Sequence, residues 1–316
     1  MFDITAIGEL LIDMAQSGMS DIGSPIFEAN PGGAPCNVLA MLNKLGRRTA
    51  FIGKVGDDIF GKRLKNIVES SGTDIGGLVF DKNVRTTLAF VETDEYGDRN
   101  FSFYRAPGAD MMLRAEELRE QILKDTRIFH FGTLSMTDEP VRSATRHAIE
   151  TAKANGALLS FDPNIREPLW QSMEEAKRQT AYGMEVCDVL KISDNEIRWF
   201  TGEEDFDRGV GKLWREYHIP LILLSMGSGG SRAYCGSRRA EQPAFLQEGT
   251  IETTGAGDTF GACCLHYILE YGVAGLGTPE LEEMLRFANA AASIVTTRRG
   301  ALRVMPEPEE IQALLV

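Results

Sequence analysis

The chain has 316 residues, long enough for a large hydrophobic core. Its 43% hydrophobic and 25% charged content is that of a folded globular protein, which sets aside a disordered or fibrous chain. A formal net charge of −13 argues against a sequence-independent grip on nucleic acid or on an anionic membrane, yet leaves room for a small anion held by local amides and a few arginines.

The N-terminus, MFDITAIGELLID, has an early Asp3 and no basic segment, unlike a secretory signal, and no apolar run reaches the length of a membrane span. A cytoplasmic protein is expected. ITAIG (4–8) reads as a strand, and ELLIDMAQSG (9–18) and SPIFEAN (24–30) as further extended pieces. TAFIG (49–53) is a second strand, followed by the amphipathic DIFGKRLKNIVESSG. Between them GDDIFGKR (56–63) nearly matches a P-loop, but Arg63 stands where a hydroxyl must hold magnesium, so that reading is disfavoured. TTLAFVET (86–93), DEYGD and RNFSFYR (99–105) read as an antiparallel hairpin. A small sheet built from about 9–30 and 86–105 is a natural lid on an α/β body; an edge hairpin without function is the other reading.

Strand and helix then alternate: RIFHFG (127–132), EPVRSATRHAIETAKANG, ALLSF (157–161), SMEEAKRQTAYGMEV, DVLKI (188–192) and PLILLS (220–225). This rhythm implies a mainly parallel sheet with helices on both faces, and the last two strands are apolar enough to be central. In SMGSGGS, Gly227, Gly229 and Gly230 miss the G-x-G-x-x-G spacing and a strand follows, against a dinucleotide site. Cys36, Cys187, Cys235, Cys263 and Cys264 form no C-x-x-C and suit reduced, buried thiols. His130, inside an apolar run, reads as a core residue rather than a metal ligand.

ETTGAGDTFGACC (252–264) is the segment with chemistry in it. Gly255, Ala256 and Gly257 would leave amides open at a helix start, where an anion is favoured. Asp258 would repel a resting anion there, but could take the proton of a hydroxyl attacking a phosphoryl group in transit. An aspartate N-cap after a glycine turn explains the same residues. The residues alone leave both open.

GGAPCNVLAMLNKLGRRTAFIGKVGDDIFG (32–61) and ETTGAGD (252–258) resemble the two signature segments of the ribokinase-like (PfkB) carbohydrate kinases, and the resemblance spans essentially the whole chain. Within that family GELLIDM, FYRAPGADM, FDPNIREPLW and KISDNEIRWFTG look most like fructokinases. The resemblance implies a single kinase domain over 1–316, a three-layer αβα sandwich with a mainly parallel sheet and a small β-sheet lid; the hairpin's strand edges and apolar side chains suggest that two copies pair through it. It implies that Asp258 is the catalytic base and that Gly255, Ala256 and Gly257 form the anion hole. Asp13, Gly33 and Asn37 fall at sugar positions, and Arg105 and Arg166 at the arginines near the sugar and the transferred phosphate. Ser193, Ser225, Gly227, Gly230 and Asn289 fall at nucleotide positions; an exposed polar helix residue is the other reading of Asn289.

Three departures from the family pattern stand out: Leu39 replaces a smaller residue, Ser193 an asparagine, and Glu252 an aspartate. Glu196 is implied to order magnesium through water, and Glu252, Thr254, Val295, Arg298 and Gly300 to offer oxygens, mostly backbone carbonyls, to potassium. The implied reaction is transfer of the γ-phosphoryl group of ATP to the 6-hydroxyl of D-fructose. A 2-keto-3-deoxygluconate kinase, or a non-catalytic sugar- or nucleotide-binding regulator, are the alternatives.

Overall fold

The computed structural model describes residues 1–93 and 99–316. Its strands, in chain order, are β1 (Phe2–Ile7), β2 (Leu11–Met19), β3 (Pro25–Gly32), β4 (Thr49–Gly56), β5 (Asp74–Asp81), β6 (Leu88–Thr93), β7 (Arg99–Tyr104), β8 (Thr126–Gly132), β9 (Leu158–Asp162), β10 (Val189–Ser193), β11 (Leu221–Ser225), β12 (Ser231–Cys235) and β13 (Arg238–Gln242). The α-helices are α1 (Ala34–Lys44), α2 (Ile59–Ser70), α3 (Glu120–Lys124), α4 (Val141–Ala154), α5 (Met173–Val186), α6 (Asp194–Thr201), α7 (Phe206–Tyr217), α8 (Ala256–Gly275), α9 (Thr278–Thr296) and α10 (Pro308–Leu315).

One sheet runs β13-β12-β11-β10-β9-β8-β1-β4-β5, parallel from β11 to β5 with an antiparallel β12–β13 hairpin at one edge. Alternation along the strands sends Leu190, Ile192, Ile222 and Leu224 to the face covered by α3 to α7. Val189, Leu221 and Leu223 go to the face covered by α1, α2 and α8 to α10. The result is the expected three-layer αβα fold with a mainly parallel sheet. The six strands expected from sequence are β1, β4, β8, β9, β10 and β11.

Three strands escape the sequence pattern. The edge strand β5 carries Gly76 and Gly77, which erase its alternation; a Cβ on Gly77 would lie 2.7 Å from the Phe51 carbonyl oxygen. In β13, RRAEQ, Ala240 is the one buried side chain, so it reads as polar loop. The β12–β13 hairpin turns at Gly236, in the left-handed region at φ 59°.

The smaller sheet runs β3-β2-β6-β7. β2 pairs antiparallel with β3 and parallel with β6, and β6–β7 is the expected antiparallel hairpin. Its expected turn, DEYGD, lies outside the described residues. Register puts Asp13, Ala89 and Phe103 on one face of this sheet. Phe27, Phe90 and Tyr104 occupy the other, with Phe90 5.4 Å from Phe27 and 5.1 Å from Tyr104 between ring centres.

The P-loop look-alike has a structural explanation. Asp58 caps α2, its Oδ1 accepting the Phe60 and Gly61 amides at 3.0 and 2.9 Å, so the turn's own carboxylate fills the anion position. All five cysteines are free and buried, and buried His130 meets Ser160 Oγ at 3.0 Å. Among the described residues no helix is long and apolar enough to cross a membrane.

Candidate active site

The carboxyl ends of β9, β10 and β11 deliver Asp162, Ser193 and Ser225 to one rim of the large sheet, where parallel α/β sheets place ligands. α8 starts at the same rim. Its N-cap, Gly255, is left-handed at φ 79°, and a Cβ there would come within 2.6 Å of the Ala301 side chain, so only glycine makes the turn. The amides of the first turn have no intrahelical acceptor, although that of Ala256 donates to the Thr253 carbonyl at 3.2 Å, and they carry the positive end of the helix dipole.

Asp258 does not cap the helix. Gly255 holds that position, and Asp258 is the third helical residue with no capping bond. Its Oδ2 instead accepts the Asn37 amide nitrogen at 2.7 Å, across from α1. The capping explanation of Asp258 is therefore corrected. Burial raises its pKa above the ordinary carboxylate value, while the Asn37 hydrogen bond and the charges of Lys191 and Arg166 draw it down.

Two cavities meet at this helix start. The smaller, about 290 Å³, is lined by Glu9, Asp13, Gly33, Asn37, Phe103, Arg166, Lys191, Gly255 and Asp258, among others. The larger, about 440 Å³, is lined by Ser193, Ser225, Gly227, Gly230, Ala256, Asn289 and the segment 244–247. Both include Thr253 and Gly257. The open amides of α8 thus stand between two binding spaces, with a carboxylate on one side.

Most of the residues singled out from sequence lie on these walls, with some differences. Arg105 lines neither cavity. It is buried, with Nε on Asp110 Oδ2 at 2.7 Å, Nη1 on Thr137 Oγ1 at 3.0 Å and Nη2 on the Leu134 carbonyl at 2.8 Å. A carboxylate five residues downstream fixes it as a brace beneath the small sheet. Asn289 is buried, not exposed, and its Nδ2 donates to the Gln242 and Pro243 carbonyls at 3.2 and 3.0 Å. That bond ties α9 to the segment that brings Phe245 and Leu246 into the larger cavity. Glu196 clasps two loops: Oε2 accepts from Ser193 N and Oγ at 2.9 and 2.7 Å, and Oε1 from Ile165 N at 2.9 Å.

The segments around Glu252 and Gly300 also come together. Ile251 and Glu252 both donate their amides to the Thr296 carbonyl, and Gly300 N donates to Glu252 Oε1 at 3.0 Å. Glu252, Thr254 and Gly300 border a third cavity of about 180 Å³. The Val295 carbonyl is taken by Arg298 N at 3.0 Å, and the Arg298 guanidinium turns away to Val304 and Glu310. Among the described residues no group of three His, Cys, Asp or Glu forms a ready metal site.

Sequence reading missed several wall residues, among them Glu9, Phe103, Asn164 and Lys191. Lys191 pairs with Asp162 Oδ2 at 2.9 Å. Burial opposes its charge, but Asp162, Glu196 and Asp258 raise its pKa nonetheless. Burial lifts Asp162 to about 6 against the pull of Lys191, and lifts Glu9 to about 7. The available signal was a lysine inside the otherwise apolar run VLKI (189–192).

The model of the pfkB family of carbohydrate kinases matches residues 1–308. Fructokinase-1 of Zea mays is 41% identical over 315 residues, covering 99% of this chain and 97% of that protein. Among solved structures, a fructokinase of Xylella fastidiosa with bound ATP superposes with TM-score 0.90 at 30% identity, covering 100% of this chain and 98% of that one. A fructokinase of Vibrio cholerae O395 with fructose, ADP and calcium bound gives TM-score 0.88 at 27% identity, covering 100% and 99%.

Proposed function

The chain belongs to the pfkB family of carbohydrate kinases, and on that premise we propose that it transfers the γ-phosphoryl group of ATP to the 6-hydroxyl of D-fructose. The observation that carries this reading is the meeting of two cavities at Gly257, beside Asp258. Fructose fills the smaller cavity, where Asp13 and Asn37 offer hydrogen-bonding partners to a neutral polyol. ATP fills the larger one, with Phe245 and Leu246 toward its base and Ser225 to Gly230 along its length. The α8 amides receive the charge spreading over the transferred phosphoryl group, and Asp258 takes the proton of the attacking hydroxyl.

A divalent cation, magnesium in the cell, accompanies the nucleotide and neutralises phosphate charge. The donors fit it: Glu196 holds a carboxylate at the rim, and the buried Asp162 Oδ1 has no hydrogen-bond partner among the described residues. Potassium is assigned to the oxygens near Glu252, Thr254 and Gly300, whose two segments are already tied together. We take the small sheet as a lid over the sugar, with its outer face pairing two copies. The free, buried thiols suit a reducing cytoplasm.

The 2-keto-3-deoxygluconate alternative needs a dedicated cation for a buried carboxylate. Among the described residues, Arg166 and Lys191 are the cations on the cavity wall, against Glu9, Asp13 and Asp258. That balance favours the neutral sugar. A non-catalytic binder would have no use for a carboxylate held against the open amides.

The test is ADP release in a coupled assay across fructose and 2-keto-3-deoxygluconate, with potassium present or replaced by sodium. Fructose should give the higher kcat/KM, and potassium the higher rate. Asp258→Asn should lower kcat by about 10²–10⁴-fold, as expected for a positioned base, while ATP binding persists. A folded Asp258→Asn protein turning over at the wild-type rate refutes the assignment, and preference for the keto acid refutes the sugar.

A further inference from the structure

Lys191 is the charged residue of a buried strand. It shares a face of β10 with Val189, toward α8, and α8 makes room for it with two glycines. Gly257 and Gly261 stand one turn apart above it: a Cβ on Gly257 would lie 3.2 Å from Lys191 Nζ, and one on Gly261 4.0 Å from Cγ. The aliphatic stem therefore runs under a glycine-lined stretch of helix, and the ammonium arrives beside the first turn of α8.

An ammonium has three donors. Among the described residues Lys191 Nζ pairs with one acceptor, Asp162 Oδ2 at 2.9 Å, and its tip borders the smaller cavity. Arg105, the other cation expected here, is spent on Asp110, Thr137 and Leu134. A phosphoryl group crossing between the cavities would otherwise enter a space bordered by Asp258, Asp13 and Glu9 with Arg166 alone to offset them.

We propose, resting on the kinase reading above, that Lys191 is a further catalytic residue, whose ammonium donates to an oxygen of the phosphoryl group in transit beside the Gly255–Gly257 amides. As the bond from the γ-phosphorus to the departing diphosphate breaks and the bond to the sugar oxygen forms, the hydroxyl proton passes to Asp258. The fixed positive charge of Lys191 offsets the negative charge spreading over the phosphoryl oxygens. The same charge draws the Asp258 pKa down against the burial that raises it. Asp258 faces Asn37 from α1, Asp162 and Arg166 from β9 and the loop after it, and Lys191 from β10, with Glu196 of α6 behind the lysine.

A variant pair separates this role from a merely structural one. Lys191→Met should lower kcat on fructose by about 10²–10³-fold, the loss typical of one transition-state donor, and move the acidic limb of the pH–rate profile upward. It also strands Asp162, so Asp162→Asn/Lys191→Met, which removes both charges, is made alongside. Asp162→Asn alone, which carries any loss of the donor assigned above to the divalent cation, is the reference: if Lys191 serves only to neutralise Asp162, the double variant matches Asp162→Asn in kcat and the proposal falls; if Lys191 touches the phosphoryl group, the double variant is slower than Asp162→Asn by about 10²-fold or more. A wild-type protein without fructose-dependent ADP release overturns the fructokinase reading instead. Calorimetry with ADP and aluminium fluoride, a mimic of the phosphoryl group in transit, then decides the lysine's role. Binding at least tenfold weaker in the double variant than in Asp162→Asn upholds the proposal, and equal binding in the two overturns it.

Discussion

Glu9 shows what the site costs the fold. Its carboxyl is buried between the end of β1 and the start of α1, where Oε1 accepts the Ala34 amide at 2.8 Å. Burial pushes its pKa from the ordinary 4.5 up to about 7, more than its backbone hydrogen bonds and Arg105 pull it down. An acid with a raised folded-state pKa holds its proton more tightly folded than unfolded. The unfolded chain releases that proton near pH 4.5, so stability falls as pH rises from about 4.5 to about 7 and then levels off. Asp162, raised to about 6, adds a term of the same sign. Glu9→Gln keeps a carbonyl for the Ala34 amide and removes the ionisation. It should raise Tm at pH 8 by more than at pH 5, with an upper limit of roughly 3 kcal/mol from the size of the shift. Melting curves at the two pH values that shift equally would show that Glu9 is not charged at a cost in the folded protein.

At the scale of elements, α5 comes closest to β9 at a glycine. A Cβ on Gly183 would come under 3.0 Å from three ring atoms of buried Phe161, which stacks on Phe131 at 4.9 Å. Helix propensity favours alanine over glycine by about 1 kcal/mol. Overpacking against a rigid ring costs about 1–3 kcal/mol, so packing should win and Gly183→Ala should destabilise. Gly211→Ala in α7, whose nearest neighbour is the flexible end of Arg215 at 3.5 Å, is the control and should stabilise. Denaturation midpoints moving the same way for both would undo the argument. The same contrast explains what could be read in the sequence. Long apolar runs such as LILLS announce a strand because burial on both faces leaves no polar position, whereas Gly76–Gly77 in β5 leave nothing to read. The glycine turn and Asp258 are legible because contiguous residues make them. Lys191 acquires its meaning only when β10 and α8 cross, and Arg105 loses its expected place to Asp110, five residues away.

The molecule as a whole carries its binding space between a rigid αβα body and a small twisted sheet that presents two different faces. The inner face brings Asp13 and Phe103 to the cavity wall. The outer face lines up Phe27, Phe90 and Tyr104 in edge and tilted ring contacts, yet Tyr104 remains 66% exposed. Met19 and Ile22 add exposed apolar side chains at the β2–β3 end, where Ile22 is 89% exposed. A sheet left open at β3 and β7 offers unpaired edges as well, and such edges are normally covered or charged. A net charge of −13 opposes casual association, so a contact that does form must bury enough apolar area to outweigh that repulsion. The expected result is a dimer through the outer face, of roughly twice the 34.8 kDa chain mass by light scattering, tightening as salt screens the repulsion. Tyr104→Lys adds charge at the exposed end of the aromatic row without touching the inner face, and should give monomers. If the sheet's other face closes on the sugar, as proposed above, those monomers should bind fructose with a raised KM and kcat little changed, the mark of a lid less firmly seated. A wild-type chain that scatters as a strict monomer at assay concentration removes the dimer, and unchanged KM in a monomeric Tyr104→Lys would separate pairing from closure.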